Sequence, residues 1–481
     1  MGERGPLRIM NVNAFDSIAG RVDGPFDVTV GDGTITSVRP AGPGAPGGSG
    51  IDGAGKTLIP GLIDAHWHTT FTTIPAAVAG LGELGYVFAQ AVVSAGDTLM
   101  RGFTTVRDLG GPSFGIKQAI DQGSIPGPRI YPSGAFISQT GGHGDFRMPN
   151  EVPRGIAGYL SYSEIVGAAV IADGEAEVLR GAREMLRRGA SQLKLMAGGG
   201  VASDYDPLDV TQYTEREIRA AVDVAGNWGT YVTVHAYTPH AVRTAIAAGV
   251  RCIEHGQLLD EQTVALMAEN GIWWCLQPFL DDEDAPRLAG PNRSKFLQMV
   301  AGTDNAYHLA IKHRVRVAFG TDTLFDAKLA TRQGAQLAKL TRWYSPAEVL
   351  QQATARNAEL LALSGPRNPY PGRLGVIEEG AIADLILVDG DPVADISLIT
   401  RPQESFLAII KGGQLVKGTD TPGRMLVRPE PGAASGGRRR RRGRSAGGRP
   451  GLRSRRRRRG YRWRRGCGAR ASRGGRVRGR R

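Results

Sequence analysis

Leu58-Ile59-Pro60-Gly61-Leu62-Ile63-Asp64-Ala65-His66-Trp67-His68 is an apolar run that ends in a His-x-His pair. Residues two apart in an extended strand point to the same face, so His66 and His68 present two imidazoles side by side. That is a metal-binding posture, although paired histidines also occur on ordinary polar surface. Four later residues carry the reading further. Lys194 in Gln192-Leu193-Lys194-Leu195-Met196, His235 in Val232-Thr233-Val234-His235, His255 in Cys252-Ile253-Glu254-His255-Gly256 and Asp322 in Ala318-Phe319-Gly320-Thr321-Asp322 each lie at or near the end of a short apolar run. A Gly-rich or polar turn follows each of them.

Eight such runs read as strands, at 58–68, 102–108, 129–137, 192–197, 231–236, 251–255, 271–277 and 315–321. Amphipathic helical stretches separate them, such as Thr214 to Ala225 with its Thr cap and acidic first turn. Alternation of this kind predicts the α/β class and a parallel, TIM-like (β/α)8 barrel over residues 58–371, with an active site at the C-terminal strand ends. All six candidate ligands map there. The chain ends have another texture: short β-rich pieces such as 7–12, 26–30 and 34–38 return after residue 372 as 380–389 and 408–416. They predict one small β-sandwich domain built from both ends, residues 1–57 plus 372–420.

Charge is uneven along the 481 residues. The formal net charge is +14, yet 22 arginines and no acidic residue or lysine fall from Pro431 onward, which leaves −8 on residues 1–430. Residues 421–481 are expected to be a disordered Arg-rich tail. Its Arg/Gly/Pro/Ala bias is also what a GC-rich coding region read in an altered frame would give. Non-specific binding of nucleic acid or another anionic polymer through this tail is the function class furthest from catalysis. Cys252, Cys275 and Cys467 have no C-x-x-C spacing, so neither a disulfide framework nor a thiolate zinc site is indicated. No signal-peptide pattern and no apolar run of about 18 residues is evident, and a cytoplasmic protein without membrane contact is expected.

Imidazole and carboxylate suit divalent ions of the zinc, cobalt and manganese kind, with zinc taken first. His66, His68 and Asp322 would hold one ion, His235 and His255 a second. Lys194 is the odd member, because an ammonium has no lone pair. After reaction with carbon dioxide its carbamate would offer two anionic oxygens able to bridge two ions; the alternative is an ion pair with a carboxylate. Two long connections, 138–172 and 278–302, read as binding loops. The acidic run Asp281-Asp282-Glu283-Asp284 in the second reads as exposed polar loop.

With Pro60 to His68, Thr104-Thr105-Val106-Arg107-Asp108-Leu109-Gly110, Gln139-Thr140-Gly141-Gly142-His143-Gly144-Asp145, Lys194 to Gly200, Glu254-His255-Gly256, Gly320-Thr321-Asp322-Thr323 and Ala383-Asp384-Leu385, the chain resembles the metal-dependent amidohydrolase superfamily over about residues 5–418. Within it, the resemblance is to the Xaa-Pro dipeptidase and imidazolonepropionase-related group. That implies a carboxylated Lys194 bridging two zinc-like ions, His66, His68 and Asp322 on the more buried ion, and His235 and His255 on the more exposed one. It also implies that His143 and Tyr237 contact the substrate carboxylate or the polarised carbonyl.

Asp322 is then the expected general base and acid, and His255, a ligand of the outer ion that polarises the amide carbonyl, the second expected catalytic residue. The expected activity is hydrolysis of a small-molecule amide, a peptidic or N-acyl amino acid with a free carboxylate. Cyclic amides and carbamates or thiocarbamates are the alternative substrates. A homo-oligomer is expected.

Overall fold

The computed structural model describes residues 6–42 and 50–418. The Arg-rich tail, with its expected disorder and polymer binding, lies outside the described residues, as does Cys467.

Both chain ends contribute to one eight-stranded sheet. Its order is Gln414–Lys417, Phe406–Lys411, Leu385–Val388, Thr57–Pro60, Leu7–Asp16, Arg21–Gly31 and Thr34–Pro40, with Gly50–Asp52 paired to Leu7–Asp16. Two hairpins turn on residues held in the left-handed region, Asp32-Gly33 and Gly412-Gly413, the dipeptides that a tight two-residue turn requires. Ile9, Val12, Val28, Val30 and Ile35 from the first end meet Leu385, Leu387 and Ile410 from the second in a buried cluster.

The opening apolar run is divided. Thr57–Pro60 pairs antiparallel with Leu385–Val388 in the end sheet, whereas Leu62–Trp67 pairs parallel with Phe103–Asp108. Gly61 makes the transfer, donating its N–H to the Asp384 carbonyl at 2.8 Å while the next N–H reaches Gly102. A Cβ here would lie 2.2 Å from the Thr104 hydroxyl, so only glycine fits.

Beyond Gly61 the fold is α/β and TIM-barrel-like. One parallel sheet holds Leu62–Trp67, Phe103–Asp108 and Arg129–Pro132. The other runs through Ala169–Ile171, Phe136–Ser138, Leu193–Met196, Val232–Ala236, Cys252–His255, Trp273–Leu276 and Arg316–Phe319. All eight expected strands are present. The 129–137 run breaks in two around Gly134, whose φ is 74°. Among the described residues, no helix is long and apolar enough to cross a membrane.

These strands are buried on both faces, as parallel strands covered by helices are. Leu193, Leu195, Val232, Val234 and Ile253 pack with helix residues Val178, Ala182, Ile218 and Ala221. The alternate residues, Arg107, Lys194, Thr233 and Glu254, are also fully buried and form the polar floor described next. The helix Glu215–Asn227 starts, as expected, at Thr214, in a capping box with Glu217.

Candidate metal centre

Asp64 ties the first and last strands of the TIM-like unit together. Its buried carboxylate accepts from the N–H of His66 at 3.0 Å, the N–H of Thr321 at 3.1 Å and the Thr321 hydroxyl at 2.8 Å. The Asp322 N–H then donates to the His66 carbonyl at 2.8 Å. Gly320 permits this approach, since a Cβ there would stand 2.5 Å from His66 Cβ. The outcome is that Asp322 Oδ1 lies 3.1 Å from His66 Nε2 and 3.2 Å from His68 Nε2, with Oδ2 4.0 Å from His255 Nε2.

Two of these residues sit in the left-handed backbone region that disfavours side chains: His255 at φ 74° and Asp322 at φ 51°. Such conformations persist where surrounding structure over-determines them, typically at functional sites. Here the determinants are visible. The His255 carbonyl accepts from the Trp274 indole, and Asp322 is pinned through its own N–H.

His68, His255 and His235 each have one ring nitrogen spent on an acceptor, which fixes the other as a bare lone pair. His68 Nδ1 donates to the Gly110 carbonyl at 3.0 Å, and His255 Nδ1 to Gln277 Oε1 at 2.7 Å, which frees both Nε2 atoms. His235 does the reverse: Nε2 donates to the Gly199 carbonyl at 3.0 Å and Nδ1 stays free. Its ring centroid is 4.5 Å from that of His255. Ligand atoms of His66, His255 and Asp322 all lie within 4.8 Å of one another.

Ionisation follows burial and charge. Burial, reinforced by the neighbouring histidines, pushes His235 well below the usual imidazole range. Burial likewise lowers His255 to about 3, against the pull of Asp322. Burial would raise Asp322, but His66 and the other imidazoles hold it well below the carboxylate range. His66 is the exception, since burial would lower it but Asp322 and Glu254 hold it above its ordinary value. Neutral His235 and His255 beside an ionised carboxylate are the protonation states that a divalent cation needs, and such a cation would take the place of the proton on His66, so the donor set fits one.

Lys194 is fully buried, and among the described residues no carboxylate forms an ion pair with it. Burial lowers its pKa, while Glu254 and Asp322 act in the other direction. Its charge also bears on His66, His235 and His255, which places these four residues and Asp322 in one electrostatic neighbourhood, and His68 joins them through its contact with Asp322.

His143 and Tyr237 border the same cluster. The His143 ring stacks on His235 with centroids 4.2 Å apart and planes at 20°, and Tyr237 lies 4.9 Å from His235 and 5.0 Å from His255. Burial holds the Tyr237 phenol protonated.

Several residues of the site carry no role in the sequence reading. Glu254 is fully buried; Arg107 donates to its Oε1 at 2.7 Å, and its Oε2 lies 2.9 Å from His66 Nδ1. Burial opposes ionisation of Glu254, but Arg107 and His66 hold it well below the carboxylate range. The signal was available: an arginine inside the apolar run Thr104 to Leu109 needs a buried partner, by the logic applied to Lys194. Gln277 and Asp206, which orient His255 and His143, gave no such signal. The acidic run departs from expectation as well, since Asp284 is buried and paired with Arg332 and Lys339.

Comparison with known proteins identifies the family. The amidohydrolase family matches residues 57–416. The chain is 33% identical over 381 residues to ochratoxinase of Aspergillus niger, covering 75% of this chain and 76% of that one. Among solved structures, a prolidase complexed with N-methylphosphonate-L-proline superposes with a TM-score of 0.79 at 32% identity, over 86% of this chain and all of the other. A Xaa-Pro dipeptidase with bound methionine in its active site gives a TM-score of 0.75 at 28% identity, over 86% of this chain and 100% of that one. With its own donors gathered at one end of the parallel strands and the match running through all of them, this chain belongs to the amidohydrolase family and is a hydrolase of carbon–nitrogen bonds.

Proposed function

We propose that the chain hydrolyses the amide bond of peptidic or N-acyl amino acids with a free carboxylate, as a dipeptidase or carboxypeptidase would, in a metal-dependent manner. The observation that carries this reading is the convergence of three imidazole nitrogens on the Asp322 carboxylate. The likeness to a prolidase and a Xaa-Pro dipeptidase supports the substrate class. In this reading the eight strands beyond Gly61 close into a (β/α)8 barrel, and the end sheet, Thr57–Pro60 included, makes the small β-domain beside it.

His66, His68 and Asp322 would hold one divalent cation and His235 and His255 another, zinc being the first choice. Bound there, the cations lower the pKa of water enough to supply hydroxide near neutral pH. Lys194, buried and paired with no carboxylate among the described residues, is suited to persist as a carbamate, which would satisfy its charge balance between the two ligand sets. Asp322 takes the proton from the attacking water and hands it to the departing nitrogen. Tyr237, protonated throughout the neutral range, donates toward the carbonyl oxygen, and His143 meets the substrate carboxylate.

Metal analysis of the purified protein, with a screen of dipeptides and N-acyl amino acids, tests this. Close to two ions per chain and release of a C-terminal amino acid are expected. Turnover confined to cyclic amides or carbamates would overturn the substrate class, and a metal-free active enzyme would overturn the mechanism.

A further inference from the structure

His143 lies in a glycine-rich loop, outside any strand, yet its ring is held on every side. Its N–H donates to Gln212 Oε1 at 2.9 Å, and Nδ1 lies 2.7 Å from the Ser203 hydroxyl and 3.1 Å from Asp206 Oδ2. One ring face stacks on His235. Gly200 closes on the ring so tightly that a Cβ there would fall 1.8 Å from His143 Cε1. Asp206, 3% exposed, also accepts the Gly200 N–H at 2.7 Å, so one carboxylate oxygen holds both the ring and the backbone beside it.

The 200–206 loop has no regular secondary structure of its own. What fixes it comes from the long helix Gly290–Lys312. Lys295 Nζ donates to the carbonyls of Gly200 at 3.0 Å, Ser203 at 2.8 Å and Asp206 at 2.9 Å. An ammonium has three donors, and all three are spent on this one loop. Asn292 adds a bond to Asp204 at 2.8 Å. The helix therefore grips the loop, and the loop grips the imidazole.

We propose that Lys295 and Asp206 are positioning residues for His143, so that the helix Gly290–Lys312 sets how tightly the enzyme holds its substrate carboxylate. The inference rests on the reading of His143 as the carboxylate contact. With Nδ1 engaged by Ser203 and Asp206, the ring presents Nε2 alone, and a displacement of about 1 Å in such a group costs roughly a hundredfold in rate. Lys295 lies on a different element from the candidate ligands, so its loss should leave metal content unchanged.

The test uses the full-length holoenzyme, the dipeptide methionylproline as substrate and imidazole nitrogen NMR. The His143 signal is identified by its loss in His143→Gln. In Lys295→Met, and in Gly200→Ala from the other face of the ring, the Nδ1–H signature of His143 should weaken. KM for methionylproline should rise about tenfold or more with a smaller change in kcat, at unchanged metal content. Lys295→Arg should recover part of the KM, and Asp206→Asn, which keeps an acceptor, should do better than Asp206→Ala. A brace with no role in binding would lower the unfolding temperature and leave KM and the His143 signal where they were, and that result overturns the proposal. If His143→Gln itself leaves KM unmoved, the carboxylate reading of His143 fails, and the proposal falls with it even where the NMR signal responds. Should Lys295→Met not fold, Gly200→Ala and the two Asp206 variants decide the matter by the same readouts.

Discussion

Glu254 precedes His255 in the chain and stands behind His66 in space, where it is the counter-charge to a fully buried arginine. Breaking a buried pair from one side leaves the other charge stranded, at a cost of about 3–5 kcal/mol. Glu254→Gln should therefore lower the urea midpoint substantially and weaken metal retention at His66, both measurable on the same preparation by denaturation and metal analysis. Asp322→Asn is a contrasting case: it should keep much of its metal yet lose hydrolysis by orders of magnitude, and nearly full turnover would remove Asp322 from the proton-transfer role. The donors were legible in the sequence because histidine and aspartate at strand ends carry their chemistry in their identity. Glu254 was hidden because its meaning lies in a cross-strand partner, Arg107, far away in the chain.

At the scale of elements, strand ends are aimed by glycines. Gly320 lets Asp322 reach the His66 carbonyl, and Gly320→Ala would press a methyl within 2.5–2.6 Å of the His66 Cβ and main-chain nitrogen. Loss of bound metal with retained secondary structure by circular dichroism is the expected result. The eight strands were readable from their apolar runs, because burial on both faces removes alternation and leaves a continuous signal. Their interruptions were less so. The run from Leu58 to His68 looks uniform, yet it divides between two sheets at Gly61, where the backbone bonds to Asp384 and Gly102 part and Thr104 leaves no room for a Cβ. The acidic run after Leu276 looked solvated because its partners, Arg293, Arg332 and Lys339, arrive from later helices.

For the whole molecule, the buried titratable groups set a direction with pH. His255 stays neutral in the folded chain down to about 3, whereas an ordinary imidazole takes a proton near 6.5. Between those values the unfolded state binds more protons, so stability contributed by this group is full above 6.5 and lost as pH falls. His235, lowered by burial, acts alike, and Asp322 and Glu254, held below their ordinary values of 3.8 and 4.5, add to the loss at still lower pH. His66, raised, opposes the trend around its ordinary value of 6.5. Metal-stripped protein should accordingly show a lower urea midpoint at pH 5 than at pH 7.5. In the end sheet, Ile386→Ala removes a side chain that is wholly buried and should cost about 2–5 kcal/mol, read from the same midpoint.

The division at Gly61 also governs the order of assembly. The strand leading into the two histidines is anchored on Thr57–Pro60, whose partner Leu385–Val388 leaves the ribosome long after it. A pairing so distant in sequence forms late, after most local structure has condensed. The nascent chain thus carries its metal-seeking side chains on a segment without its final neighbour until Leu385–Val388 has emerged, and a product terminated before that strand would hold the histidines without the frame that aims them.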